Sequence, residues 1–377
     1  MNKSQLFLLV ILMQCSATTF AGGPILTDSA GNPVVYRQSD MPIPYSIDQG
    51  DMGLFSNSEA AALVDDCFAT WQAVATAKIS LQNTGFLPVD VTQDNVLKFD
   101  NDADGINPII FDSDGGILDS LYGAGASETI IGFAFSDTDS SGSHYTEGLA
   151  LLNGRFTRDP YNWSTVRYKA SFVHEFGHFI GLDHCQINQQ YVGDGSTGND
   201  IYVPTMYPTA TDDDTPLGDL NPDDEASLTM LYPASASIVN AAYGKIRGSV
   251  RWAIGGPVLG ANVVAVKQGD EDMSRFSSVS DYAMQGDGAF EMLVTPGTYS
   301  LYIEPVIGSF MAGSSVGPYA DTPLSPSFVF PVIKQTYADT VTVAAGGLVE
   351  NVNFTAYRNI FNAFPGVIAF LLGLLGF

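Results

Sequence analysis

The segment His174-Glu175-Phe176-Gly177-His178-Phe179-Ile180-Gly181-Leu182-Asp183-His184 holds three of the chain's four histidines within eleven positions. Residues four apart lie on one helix face, so His174 and His178 can turn two imidazoles toward one ion. A catalytic tetrahedral zinc takes three protein ligands and leaves one position open for water. Gly181 permits a sharp turn without a Cβ clash, and the turn brings His184 back as third ligand. Glu175, beside His174, can reach the water on the open side. Zinc lowers the pKa of such a water toward about 7, and a carboxylate there takes its proton as general base and passes it to the leaving amine. A short His-Glu-x-x-His run recurs by chance. The extended form, with five of eleven positions fixed, is far more specific.

A helix must carry the first two histidines. Asn162-Trp163-Ser164 opens it, with Ser164 as N-cap. Its residues are apolar nearly all round, which predicts burial. Val166, Ala170, Val173, Gly177 and Ile180 trace one face, and Gly181 ends it as a C-cap glycine does. An earlier helix follows the capping box of Ser56 and Glu59, with Ala60, Leu63, Val64, Cys67, Phe68, Trp71 and Val74 at helical spacing. Met41 to Asp48 is extended, and strands are predicted at Lys78 to Gln82, Thr129 to Phe135 and Glu147 to Phe156. Residues 83 to 128 read as loops. After residue 234 the pattern changes to short strands at Ser249–Trp252, Ala261–Val266, Ala289–Leu293, Thr298–Ile303 and Leu348–Phe354. Glycine- and proline-rich turns separate them, the signature of a β-sandwich with its own core.

Acids outnumber bases 41 to 15, and the net charge of −26 argues against nucleic acid or anionic membranes as partners. The acids gather in short Asp/Gly/Asn loops, which suit calcium and its oxygen ligands. Asp100, Asp102, Asp104, Asp112, Asp114 and Asp119 are the candidate structural calcium ligands, and a solvated acidic surface is an equal reading. At the N-terminus, Lys3, the apolar run Leu6 to Met13 and the small-x-small site Thr19-Phe20-Ala21 describe a secretory leader, so the mature chain begins at Gly22. Cys67 and Cys185 could pair in an exported protein. The apolar helix face that carries Cys67 favours a buried thiol instead.

With those residues in place, the chain resembles the metzincins, and within them the matrixins, over residues 40 to 232. Val203-Pro204-Thr205-Met206-Tyr207-Pro208 looks like their Met-turn, 22 residues past His184. The resemblance implies that Met206 lies beneath the zinc without ligating it. Tyr207 follows Met206 directly, as in matrixins, whereas Cys185 stands where matrixins usually carry serine. Leu220-Asn221-Pro222-Asp223-Asp224-Glu225 through Leu231-Tyr232 resembles the matrixin C-terminal helix. Phe111-Asp112-Ser113-Asp114-Gly115-Gly116 resembles the calcium loop, and Ile131 to Phe135 the edge strand after it. By that resemblance Gly132, Phe133 and Ala134 bind extended peptide by strand addition. Only His144 remains outside the motif, which predicts one zinc, with His144 as a loop residue. Gly260-Ala261-Asn262-Val263 and Gly288-Ala289-Phe290 through Tyr299 resemble a carboxypeptidase regulatory-like sandwich.

The expected fold class is α+β. A leader (1–21) precedes a metzincin catalytic domain (22–234) with a twisted mixed sheet, active-site helix and Met-turn. An all-β sandwich (235–357) and an apolar tail (358–377) follow. The expected function is secreted, zinc-dependent hydrolysis of internal peptide bonds by a monomer acting on protein or peptide substrates. The tail is a candidate for cell-surface association. The competing class is a surface-binding protein that carries a relic protease domain, and an intact Glu175 beside intact histidines argues against it.

Overall fold

The computed structural model describes residues 23–100, 104–208, 218–282, 286–306 and 332–358. The expected leader, the tail beyond Arg358 and Asp102 lie outside the described residues. Among the described residues no helix is long and apolar enough to cross a membrane.

Helix α1 (Asn57–Gln72) starts at a reciprocal cap in which the Glu59 carboxylate accepts the Ser56 backbone N–H at 2.9 Å. Its inward residues Ala60, Leu63, Val64, Cys67, Phe68 and Trp71 are buried. A short helix, α2 (Gly116–Tyr122), follows, and then α3 (Thr165–Phe179), which carries the histidine motif. Phe68 of α1 stacks on Phe176 of α3 with ring centroids 3.9 Å apart. The Trp71 indole N–H donates to the Val173 carbonyl at 2.8 Å. Each ring taken out of water here contributes about 2–3 kcal/mol, so this helix pair is a main anchor for the motif.

These helices pack on a six-stranded sheet. Its strands are β1 (Val35–Tyr36), β2 (Ile43–Ile47), β3 (Leu81–Phe86), β4 (Pro108–Asp112), β5 (Gly132–Thr138) and β6 (His144–Asn153). The order is β1-β6-β4-β2-β3 with parallel neighbours, and β5 pairs antiparallel with β6. Because β1 and β4 share one side of β6, β5 forms the margin on the other.

Three sequence expectations need correction. The loop-rich stretch 83–128 contains the central strand β4, all five residues of which are buried. A parallel strand covered on both faces loses the alternation that marks a strand in sequence. Strand β5 begins later than the apolar run from Thr129 implies, because Thr129 and Ile130 donate to the Ala126 carbonyl in a 3₁₀ turn. His144 opens β6 and is buried, with Ser143 Oγ 2.9 Å from its Nδ1, so it is a strand residue rather than a loop one.

Helix α4 (Pro222–Leu231) closes this region, and α5 (Ala236–Ala242) leads into two further sheets. Their longer strands are β7 (Gly244–Trp252), β8 (Ala261–Lys267), β9 (Arg275–Val279), β10 (Ala289–Val294) and β11 (Gly297–Pro305). Four short strands complete them: β12 (Gln335–Thr336), β13 (Val341–Val343), β14 (Leu348–Val349) and β15 (Phe354–Ala356). One sheet runs β10-β7-β14 with β15 on β7, and the other runs β12-β11-β8-β9 with β13 on β11. Ile246, Val250, Phe290 and Met292 from the first meet Val263, Ala265, Leu301 and Ile303 from the second in one core. The two regions of the chain touch along α4. Its Leu228 and Leu231 enter the first core and its Ala226 the second, while Val264 and Val279 reach across into the first.

Candidate metal centre

Local rules bring the motif to one point. Ser164 Oγ accepts the Arg167 backbone N–H at 3.3 Å and starts α3. Gly181 ends it at a φ of +92°, where a Cβ would also lie 2.8 Å from the Tyr145 ring. Only glycine meets both demands at once. Residues 23–25 then run beside the turn. Ile25 N–H donates to the Gly181 carbonyl and Asp183 N–H to the Gly23 carbonyl, both at 2.9 Å.

Past that turn His184 swings back to the other two histidines. Its Nε2 stands 3.1 Å from Nε2 of His178 and 3.2 Å from Nε2 of His174. Among the described residues these three form the one group of three or more His, Cys, Asp or Glu side chains that could hold a metal ion. His174 Nδ1 lies 2.7 Å from the Thr205 carbonyl, and His178 Nδ1 lies 2.8 Å from the Leu182 carbonyl. A carbonyl only accepts, so each Nδ1 carries the proton and each Nε2 offers a lone pair inward. Burial keeps all three rings neutral. It lowers the pKa of His174, takes that of His178 to about 3, with His174 beside it adding to the effect, and takes that of His184 well below its usual value. The Nε2 lone pairs of His174 and His178 both face His184 Nε2, so a cation among the three meets a lone pair from every ring once His184 carries its proton on Nδ1. The three histidines can therefore hold a metal ion.

Glu175 sits deep among protein atoms yet keeps a part-exposed surface. Burial raises its pKa to about 8, and a hydrogen bond from the Ala134 backbone opposes the rise. A cation among the histidines would favour the carboxylate and pull the value back down. Ala134 belongs to β5, so the base and the sheet margin face each other.

Met206 lies under the same helix. A Cβ on Gly177 would fall 2.3 Å from Met206 Sδ, so the glycine gives the sulfur its place. The Met206 carbonyl accepts the Cys185 N–H at 2.9 Å, and the Asp224 carboxylate accepts the N–H groups of Thr205 and Met206 at 2.9 and 3.1 Å. The turn is thereby tied to the ligand helix, to the ligand loop and to α4. Sequence reasoning missed Asp224 as an organiser. The capping box of Asn221 and Asp224 at the head of α4 is the signal that could have exposed it.

The acidic candidates do not converge in this way. Asp112 accepts the backbone N–H groups of Gly115, Ile117 and Leu118, so it organises the start of α2. Asp119 accepts the Ser127 N–H, and Asp104 the Ile106 N–H. Asp114 lines an open cleft of about 430 Å³ together with Asp51, Asp90 and Asp112. Cys67 and Cys185 are both buried and unbridged.

No protein-family model matches this chain, and no curated protein matches it. Among solved structures, it overlaps the dioxygenase domain of a dioxygenase carbohydrate-binding protein fusion from the cellulolytic bacterium Streptomyces sp. SirexAA-E. The overlap has 12% identity and a TM-score of 0.16, and covers 33% of this chain and 86% of that one. A score that low defines no common fold.

Proposed function

We propose that this chain is an exported, zinc-dependent endopeptidase of the metzincin type. The observation that carries the reading is the 3.1 and 3.2 Å spacing of three inward Nε2 atoms. Tetrahedral Zn–N bonds of about 2.0–2.1 Å would set the ligands roughly 3.3 Å apart, close to what is found. A zinc ion held there supplies Lewis acidity, which makes water nucleophilic near neutral pH. The chain's own groups do the rest. His174, His178 and His184 hold the ion, and Thr205 and Leu182 fix the first two rings. Glu175 takes a proton from the attacking water on its carboxylate and delivers it to the amine of the departing peptide half. The outer edge of β5, at Gly132, Phe133 and Ala134, offers backbone groups for an extended substrate beside that carboxylate. The placement of Met206 against Gly177 agrees with the Met-turn of the family the sequence resembles. Export rests on the leader-like segment 1–21. Structural calcium is proposed, as the sequence suggested, for the acidic loops that carry Asp100, Asp104, Asp112, Asp114 and Asp119, although their carboxylates form no converging group among the described residues.

The test is Glu175→Gln in the full chain. Zinc should remain bound while casein hydrolysis falls by ~100-fold or more, because one residue serves two proton transfers. Near-parental turnover by a zinc-loaded variant would rule out this role for Glu175.

A further inference from the structure

The three rings are not held alike. His174 and His178 each have a carbonyl at Nδ1, but His184 Nδ1 is buried with no hydrogen-bond partner among the described residues. The orientation of the His184 ring must then come from its backbone. On one side its own N–H donates to Asp183 Oδ1 at 2.7 Å. On the other side the loop enters the two-sheet region. Asn262 of β8 donates from Nδ2 to the Gln186 carbonyl at 3.0 Å and to Glu304 Oε1 at 3.2 Å. Gln186 Nε2 donates to the Pro305 carbonyl at 2.8 Å. Asn188 Nδ2 donates to the Asp272 carbonyl at 2.8 Å. Asp223, which bonds Cys185, accepts the Ser277 N–H of β9 at 2.7 Å.

Gln186 and Asn262 are both 0% exposed, and Glu304 is 7% exposed. Burying amides and a carboxylate is costly unless they are paired, so an ordinary seam between two cores would be apolar. Here the polar groups fix one backbone carbonyl two residues from the third histidine. We propose that the two-sheet region is a positioning element of the metal centre, with Asn262 and Glu304 setting the His184 imidazole through the backbone of residues 185–188. The proposal rests on the reading of the three histidines as metal ligands. It gives the C-terminal sheets a part in metal retention.

The test uses the full chain, Co2+ as probe, and three variants. Asn262→Ala removes the bond to Gln186. Glu304→Gln keeps the volume and an acceptor oxygen, and so is the milder change. Tyr299→Phe is the control, since Tyr299 is buried in the same sheets but its hydroxyl donates to the Thr295 carbonyl at 2.5 Å, away from the loop. Asn262→Ala should raise the Co2+ dissociation constant about 10- to 100-fold, the usual range for removing an outer-sphere support, and shift the visible ligand-field bands. Glu304→Gln should move both in the same direction by less. Tyr299→Phe should lower the melting temperature and leave both unchanged. If folded Asn262→Ala and Glu304→Gln bind Co2+ with the parent's affinity and spectrum, the proposal is overturned, and the same holds if Tyr299→Phe weakens binding as much. If Asn262→Ala does not fold, an unchanged Glu304→Gln overturns it alone. A parent chain that takes up no metal removes the metal reading itself, and the proposal with it.

Discussion

The histidine-bearing region and the two-sheet region bury polar groups in opposite ways. In the two-sheet region, a buried hydroxyl such as Ser280 Oγ donates to the Val258 carbonyl and accepts the Ala261 N–H, so it is satisfied by neighbouring backbone. At the histidines, three ring nitrogens converge, burial holds the rings neutral, and Glu175 is pushed toward a pKa of about 8. The first arrangement stabilises the fold without help. The second gathers three ring nitrogens that a cation can bridge, which is why it marks a site rather than a core.

The comparison can be broken by changes of matched kind in the two regions. The largest effect belongs to Phe176→Ala. It removes a ring that stacks on Phe68 at 3.9 Å and should destabilise the chain by about 3–5 kcal/mol. Denaturant melts should register that loss together with weaker metal retention. Phe290→Ala, in the other core, should cost stability with metal affinity intact. Equal loss of metal in both would mean that the two regions unfold as one.

Two close-approach glycines sharpen the contrast. A Cβ at Gly177 meets Met206 Sδ at 2.3 Å, and one at Gly248 meets the Val352 carbonyl at 1.8 Å. Both alanine variants should lose about 1–3 kcal/mol by overpacking. Only Gly177→Ala should also raise the metal dissociation constant, because its strain falls on Met206 and so on the ligand helix. Chelator competition on the two proteins decides this, and a larger metal defect in Gly248→Ala would contradict it.

Smaller effects are expected at the surface. Calcium should raise the thermal midpoint by a few degrees, roughly what 1 kcal/mol is worth in a domain of this size. Equal midpoints in calcium and in a calcium-selective chelator would remove the cation from the acidic loops. Arg247→Ala breaks exposed pairs to Glu291 and Glu350 and should cost under about 1 kcal/mol, with no change at the histidines.

Much of this contrast was legible in the sequence, and the illegible part has physical causes. Helices α1 and α3 announced themselves through their serine caps and apolar spacing, and the three histidines and Glu175 through their separation. Strand β4 did not, because a strand buried on both faces carries no alternation. Strand β9 was hidden by Ser277 and Ser278, which are buried yet read as turn residues. The supports of the site were hardest to see. Thr205 and Leu182 act through carbonyls that any residue would supply. Asp112 has the look of a cation ligand and works on backbone amides, a distinction that only its geometry reveals.

The proposed function requires His174, His178 and His184 together to hold one zinc ion. X-ray absorption at the zinc edge of the purified full chain tests it most directly, alongside elemental analysis of the same sample. The account predicts one zinc per chain, with three imidazole nitrogens at about 2.0–2.1 Å and no sulfur neighbour. A chain without zinc after growth in zinc-replete medium, or a sulfur at about 2.3 Å that brought Cys185 into the ligand set, would contradict it.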